Sequence, residues 1–259
     1  MTEQAIEATI HTQGEVWFAS REVGRLADTE SYLLNTALYY ALGFASGRYL
    51  DTQFQPTYIE DTEKVAKEIY ISPAAPIGQR GNALGHTNYI TSTYNTSDDN
   101  YATLNLSAQD DPDAKKNLPS YGRRRALGHD NVFQFYLIPK DIDVETIQNR
   151  LPTYIRLGKK RGKARIESRI LPTQKRTGEY NLGHPIGAYD SEQTPNGNLI
   201  TKRMRPTPLL LQGDYQGKHI AIRINGNDTS ESSEDKPKDE DEPRYVRFPG
   251  DVTFLKTKR

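Results

Sequence analysis

The chain has 259 residues, 35% of them apolar, with 34 Lys and Arg against 34 Asp and Glu; this length suits one elaborated domain or two small ones. It has no cysteine, which excludes disulfides, thiolate metal sites and cysteine nucleophiles, and the five histidines (11, 86, 129, 184 and 219) show no metal-ligand spacing. No window of about eighteen apolar residues occurs, and residues 1–20 lack the basic start and apolar centre of a signal peptide, so a soluble cytoplasmic protein with no membrane partner is expected.

Ile6, Ala8 and Ile10 alternate with Glu7, Thr9 and His11, the period-two pattern of a half-buried strand, and Val16 to Ala19 continues it after a turn at Gly14. Asp28 predicts the cap of a helix from Thr29 to Ser46, with Leu34, Leu38, Ala41 and Ala45 on one face and Gly47 closing it. Glu68 to Ser72 reads as a short strand ended by the segment Pro73 to Pro76. Residues 77–128 are polar and without core-like rhythm; they read as an insertion, an extended ribbon with a strand, turn, strand pattern around Tyr89 to Leu106. Val132 to Ile138 is the clearest strand, and Asp143 caps a short helix whose Val144, Ile147 and Leu151 face inward before Pro152 ends it. Lys163 to Leu171, Ile220 to Ile224, Tyr245 to Phe248 and Val252 to Leu255 are strand-like. Strand, helix, strand, taken twice, is the order of an α+β ferredoxin-like or RRM-type sheet. Two helices would cover one face of a single domain over 1–259, leaving the other face for RNA or a second layer of chain.

The zero net charge conceals segregation. Residues 228–243 hold eight acids and two lysines, a net of −6, and residues 97–113 add five aspartates, so the rest of the chain is basic. Residues 227–243 are too polar to offset chain entropy by burial and read as a disordered acidic loop. From Arg156 to Arg176 there are nine Lys or Arg against one Glu, a local net of +8. Within it, Arg156, Lys159, Lys160, Arg161, Lys163 and Arg165 surround Gly158 and Gly162. Glycine lets a backbone approach a ligand closely, and these cations suit phosphate. Tyr121 with Arg123, Arg124 and Arg125 interleaves an aromatic ring with guanidinium forks, chemistry that stacks an unpaired base and grips its backbone. Arg21 and Arg25 flank Gly24 ahead of the first helix and form a third candidate contact.

Several segments in order, VWFASREVGRLADTESYLLNTALYYALG (Val16 to Gly43), NLPSYGRRRAL (Asn117 to Leu127) followed by FQFYLI, TYIRLGKKRGKARIE (Thr153 to Glu167) and GHPI (Gly183 to Ile186), resemble the Cas-five-type subunit of the type I-D CRISPR Cascade complex. The matches span roughly three quarters of the chain and leave out mainly residues 97–116 and the acidic loop. The resemblance implies a RAMP-superfamily protein with an RRM-like fold and an inserted thumb hairpin. It also implies a noncatalytic role: holding the 5′ handle of a CRISPR RNA, contacting the large subunit and the first backbone subunit, and lying near target DNA at the protospacer-adjacent motif.

Two other readings remain at this point. Some related RAMP subunits cut precursor RNA without metal, using a histidine, lysine or tyrosine as acid or base, which makes His129 and His184 candidates. The third is a structural bridge whose cations face acidic partner proteins. A structural role is expected for each histidine, as is core packing for Trp17 and for Tyr32, Tyr39 and Tyr40. Gly78, Gly81 and Gly85 do not have the dinucleotide-binding spacing, so neither a nucleotide cofactor nor any other is expected.

Overall fold

The computed structural model describes residues 3–23, 26–47, 57–77, 87–95, 121–224 and 244–258. In chain order they form β1 (Gln4–Thr12), β2 (Arg21–Val23), β3 (Leu26–Asp28), α1 (Asn35–Ala41), α2 (Tyr58–Thr62), α3 (Val65–Glu68), β4 (Ile69–Ile71), β5 (Ala75–Ile77), β6 (Tyr89–Asn95) and β7 (Tyr121–Leu127). They continue as β8 (Val132–Pro139), α4 (Val144–Arg150), β9 (Tyr154–Leu157), β10 (Gly162–Asn181), β11 (Ile186–Gly187), β12 (Leu199–Lys202), β13 (Leu209–Ile224) and β14 (Arg244–Pro249).

The central path runs β10, β1, β8, β4, and each neighbouring pair is antiparallel. With β1, β4, β8 and β10 as the four strands of two successive strand, helix, strand units, this is the ferredoxin-like order expected from the sequence. Ile6, Ile10, Phe133, Phe135 and Leu137 bury one face against Leu38 and Tyr39 of α1 and Ile147 of α4. Asp143 caps α4 as predicted, its carboxylate accepting from the Glu145 and Thr146 amides.

β1 was expected to be half-buried, but both of its faces are covered. Ala5 joins Tyr136, Ile138 and Leu171 under a second layer supplied by Ile222, Val246 and Phe248. Glu7 is also buried there, accepting from Arg169 Nε at 2.8 Å and from the Tyr136 hydroxyl at 3.3 Å. The second layer exists because β10 is twenty residues long. Its first half pairs with β1 as far as Pro172, opposite Gln4, and its second half, from Thr173 on, pairs with β13. Proline has no N–H to donate, and it stands where the strand passes from one partner to the other.

Several expected elements differ. The first helix spans only Asn35–Ala41, because Asp28 is taken up in β3 and Leu33 is tied to Ala74 by a two-way backbone bridge. Gly43, with φ +76°, ends that helix, not Gly47. Val16 makes a single bridge to Leu127 rather than extending a strand, and Val252 to Leu255 forms turns that bury Phe254. The ribbon in the insertion pairs β6 with β7, so its second strand is Tyr121–Leu127, beyond the segment expected. With β2 and β3 these strands form a separate four-stranded sheet in which β3 and β7 run parallel. Residues 96–120 and the acidic segment 227–243 lie outside the described residues.

Candidate nucleic-acid interface

The basic segment is a β-hairpin. β9 and the start of β10 pair with Leu157 opposite Gly162, Arg156 opposite Lys163, Ile155 opposite Ala164 and Tyr154 opposite Arg165. Alternation sorts the side chains: Ile155, Leu157, Ala164 and Ile166 enter the core, while Tyr154, Arg156, Lys163 and Arg165 are exposed on the opposite face. Lys163 Nζ lies 4.2 Å from the centre of the Tyr154 ring, and Arg165 pairs with Glu167 at 2.9 Å. Tyr154, 49% exposed, was not singled out from the sequence; its position in the alternating TYIRL segment was the available signal.

Residues 158–161 form the turn, with Lys159, Lys160 and Arg161 exposed. Gly158 has φ +75°, the left-handed conformation glycine adopts without cost. Its close approach, however, is to the protein's own backbone, not to a ligand. A Cβ there would fall 2.6 Å from the Trp17 carbonyl oxygen, and one on Gly162 would collide with the Glu15 carbonyl. Both glycines therefore seat the turn on residues 15–17, and the Lys159 amide donates to Trp17 O at 2.8 Å. Trp17 is only partly buried, with Lys159 Nζ 5.1 Å and Arg124 Cζ 5.7 Å from its ring. It supports cations where core packing was expected.

Arg124 and Arg125 make intramolecular pairs. Arg124 Nη2 lies 3.2 Å from Glu15 Oε1, and Arg125 grips both oxygens of Asp28 at 2.6 Å while covering the Tyr89 ring. The pairing raises the Arg125 pKa, chiefly through the Asp28 hydrogen bond. Arg123, the residue before them, is exposed. Tyr121 begins β7 opposite Asn95, Arg21 is exposed at the start of β2, and Arg25 lies outside the described residues. The hairpin thus gathers Arg156, Lys159, Lys160, Arg161, Lys163 and Arg165 on one structure, while Arg21 and Arg123 stand on the four-stranded sheet.

His184 is fully enclosed, its Nε2 2.8 Å from Pro73 O and its ring between Tyr136 and Phe248; burial lowers its pKa to about 4. His219 stacks on Tyr180, and burial lowers its pKa as well. His129 is exposed, with Nδ1 3.0 Å from Gln13 O. Among the described residues no group of His, Asp and Glu has the arrangement of a metal site, and no helix is long and apolar enough to cross a membrane.

A family profile described as type I-D CRISPR-associated protein Cas5/Csc1 matches residues 3–253. The chain belongs to this family. The expected α+β, ferredoxin-like architecture agrees with the strand order. Solved structures similar to this Cas5/Csc1 chain include one in a type III-B Cmr-beta complex bound to cognate target RNA (13% identity over 82% of this chain and 86% of that one, TM-score 0.44). Another comes from the same complex bound to cognate target RNA and AMPPnP (12% identity, 83% and 86%, 0.41), and a third is a CRISPR protein from Archaeoglobus fulgidus (11%, 86% and 96%, 0.40). No curated protein matches the chain by sequence.

Proposed function

We propose that this type I-D Cas5 subunit is a noncatalytic RNA-binding protein that holds the 5′ handle of the CRISPR RNA, with the exposed face of the β9–β10 hairpin as its phosphate-binding surface. It would bridge the large subunit and the first backbone subunit of Cascade. The observation that carries this reading is the hairpin itself. It holds Arg156 and Lys163 directly opposite each other, with Arg165 two pairs further along on the same face, and presents Lys159, Lys160 and Arg161 at its tip. Like charges placed opposite each other across strands repel, and a phosphate chain laid along them removes that repulsion. Seating of the turn on residues 15–17 fixes the cations in place before RNA arrives, which reduces the ordering cost of binding.

The endoribonuclease alternative draws no support from His184, which is enclosed and hydrogen-bonded to a backbone carbonyl. Acid-base scission requires a titrating group within reach of the phosphate. Among the described residues His129 is the exposed histidine on a glycine-preceded loop, and it is the one to test for cleavage.

The test is to replace Lys159, Lys160 and Arg161 together with Ala and measure RNA affinity against salt. For every phosphate that is no longer neutralised, the log-log slope should fall by about 0.7. An unchanged slope defeats the assignment. In the same assay, run with precursor repeat RNA in EDTA, retention without cleavage supports the noncatalytic reading. Cleavage abolished by His129→Ala establishes the nuclease, and indifference to RNA leaves the protein-bridge reading.

A further inference from the structure

Beside the hairpin lies a cleft of about 230 Å³ walled by Phe18, Tyr32, Tyr40 and Tyr58. Leu34 and Met204 close its floor. The rings come from three separate stretches of chain, and local hydrogen bonds hold two of them. The Thr29 hydroxyl bonds both the amide and the carbonyl of Phe18, at 3.0 and 2.8 Å. Asp61 accepts from the Tyr40 hydroxyl at 2.6 Å and from the Thr57 hydroxyl at 2.9 Å, and the Tyr40 ring sits edge-on to Tyr58 with centroids 6.2 Å apart. The walls therefore stand apart without filling the space between them.

Two neighbouring depressions share wall residues with the cleft, and both are edged by cations. Phe18, Ala37 and Tyr40 continue into a shallower depression edged by Arg156, Lys159 and Arg161. Ser20, Met204 and Arg205 continue into one edged by Arg21 and Arg203. Glu30 also borders that second mouth, but it is buried and neutralised by Lys202 at 2.9 Å. The Arg205 amide donates to Ser20 O at 3.0 Å, which ties this mouth to the segment that runs from Phe18 to β2.

An aromatic slot adjoined by two cation-edged depressions matches one kind of occupant: a planar, neutral π-face flanked by a negative charge on either side. We infer that this cleft receives one splayed nucleobase of the bound RNA, with its two neighbouring phosphates at the Arg156/Lys159/Arg161 mouth and the Arg21/Arg203 mouth. A nucleotide supplies both charges and the ring in one unit. An apolar side chain from a partner protein uses the slot but leaves both sets of cations unmatched. The inference rests on the reading of the hairpin as an RNA-phosphate surface and extends it by assigning a base-binding site.

The test uses the full chain and CRISPR RNAs that each carry one abasic nucleotide at a different 5′-handle position. One position should weaken binding by about tenfold, the scale of a single base stacked on aromatic side chains, and the others should change it little. In Ala37→Phe, which fills the cleft from the half-buried face of α1, removal of that base should cost nothing further. Phe18→Leu gives a second, milder variant if Ala37→Phe melts early. A scan that is flat at every position overturns the inference, as does an abasic penalty that Ala37→Phe leaves intact. Loss of partner-subunit assembly with RNA affinity unchanged overturns it too, by making the occupant a protein. The hairpin triple variant in the same assay separates the two claims: a reduced salt slope beside a flat abasic scan removes the cleft assignment alone.

Discussion

Arg156 and Lys163 face each other across the β9–β10 ladder, so two cations share one exposed cross-strand site. Such pairs cost a few tenths of a kcal/mol up to about 1 kcal/mol relative to neutral ones. Arg156→Thr should therefore leave the free chain equally or slightly more stable in urea while weakening RNA binding. A variant that loses stability and keeps its RNA affinity contradicts the hairpin's role.

Gly162→Ala should have a different signature. The added methyl meets the Glu15 carbonyl, and backbone on backbone has little room to relax, so a loss of about 1–3 kcal/mol is expected. The turn carrying Lys159, Lys160 and Arg161 should shift with it. Thermal melting together with RNA titration reads both effects; a melt unchanged from wild type would show that the hairpin is not seated on residues 15–17.

Asp190 joins distant parts of the chain. Its Oδ2 accepts from Asn35 Nδ2 at 2.7 Å, the Tyr70 hydroxyl at 2.9 Å and the Gly187 amide at 2.9 Å, and its Oδ1 accepts from the Leu255 amide at 3.0 Å. Asp190→Ala leaves these four buried donors unpaired and should cost about 3–5 kcal/mol, measured by urea denaturation. A loss below about 1 kcal/mol would mean that water replaces the carboxylate.

His184 makes stability depend on pH. Its folded pKa of about 4 lies below the ordinary 6.5, so between those values the unfolded chain binds a proton that the folded chain refuses. Stability is complete above about pH 6.5 and falls as the pH drops toward 4, by up to about 1.4 kcal/mol per unit. His184→Gln can still donate to Pro73 O and should flatten that slope in denaturation series at pH 7, 6 and 5. An identical slope in the variant assigns the loss to other groups.

Ile224 and Arg244 are paired across β13 and β14, so the acidic segment between them leaves and returns at neighbouring points. Replacing residues 227–243 with a short turn should preserve folding and assembly, because closing a shorter loop costs less entropy, and should raise nonspecific nucleic-acid binding by removing a polyanion. Loss of soluble protein would show that the segment takes part in folding.

Local pattern alone was enough for the ferredoxin-like strand order, the Asp143 cap and the basic character of residues 156–165, since alternation, capping chemistry and net charge are properties of neighbours in sequence. The partners of each charge are set by contacts far apart in the chain. Asp28 looked like a helix cap but lies in β3, where it is paired with Arg125, ninety-seven residues away, and that pairing occupied one of the three arginines in the cluster. The second layer over β1 depended on β10 exchanging one partner strand for another at Pro172, which no periodicity announces. Gly158 and Gly162 were recognisable as sites of close approach, but only the folded chain shows that what approaches them is the backbone of residues 15–17. The cleft walled by Phe18, Tyr32, Tyr40 and Tyr58 is likewise a product of tertiary structure: its rings lie on separate segments, and only packing leaves the gap between them.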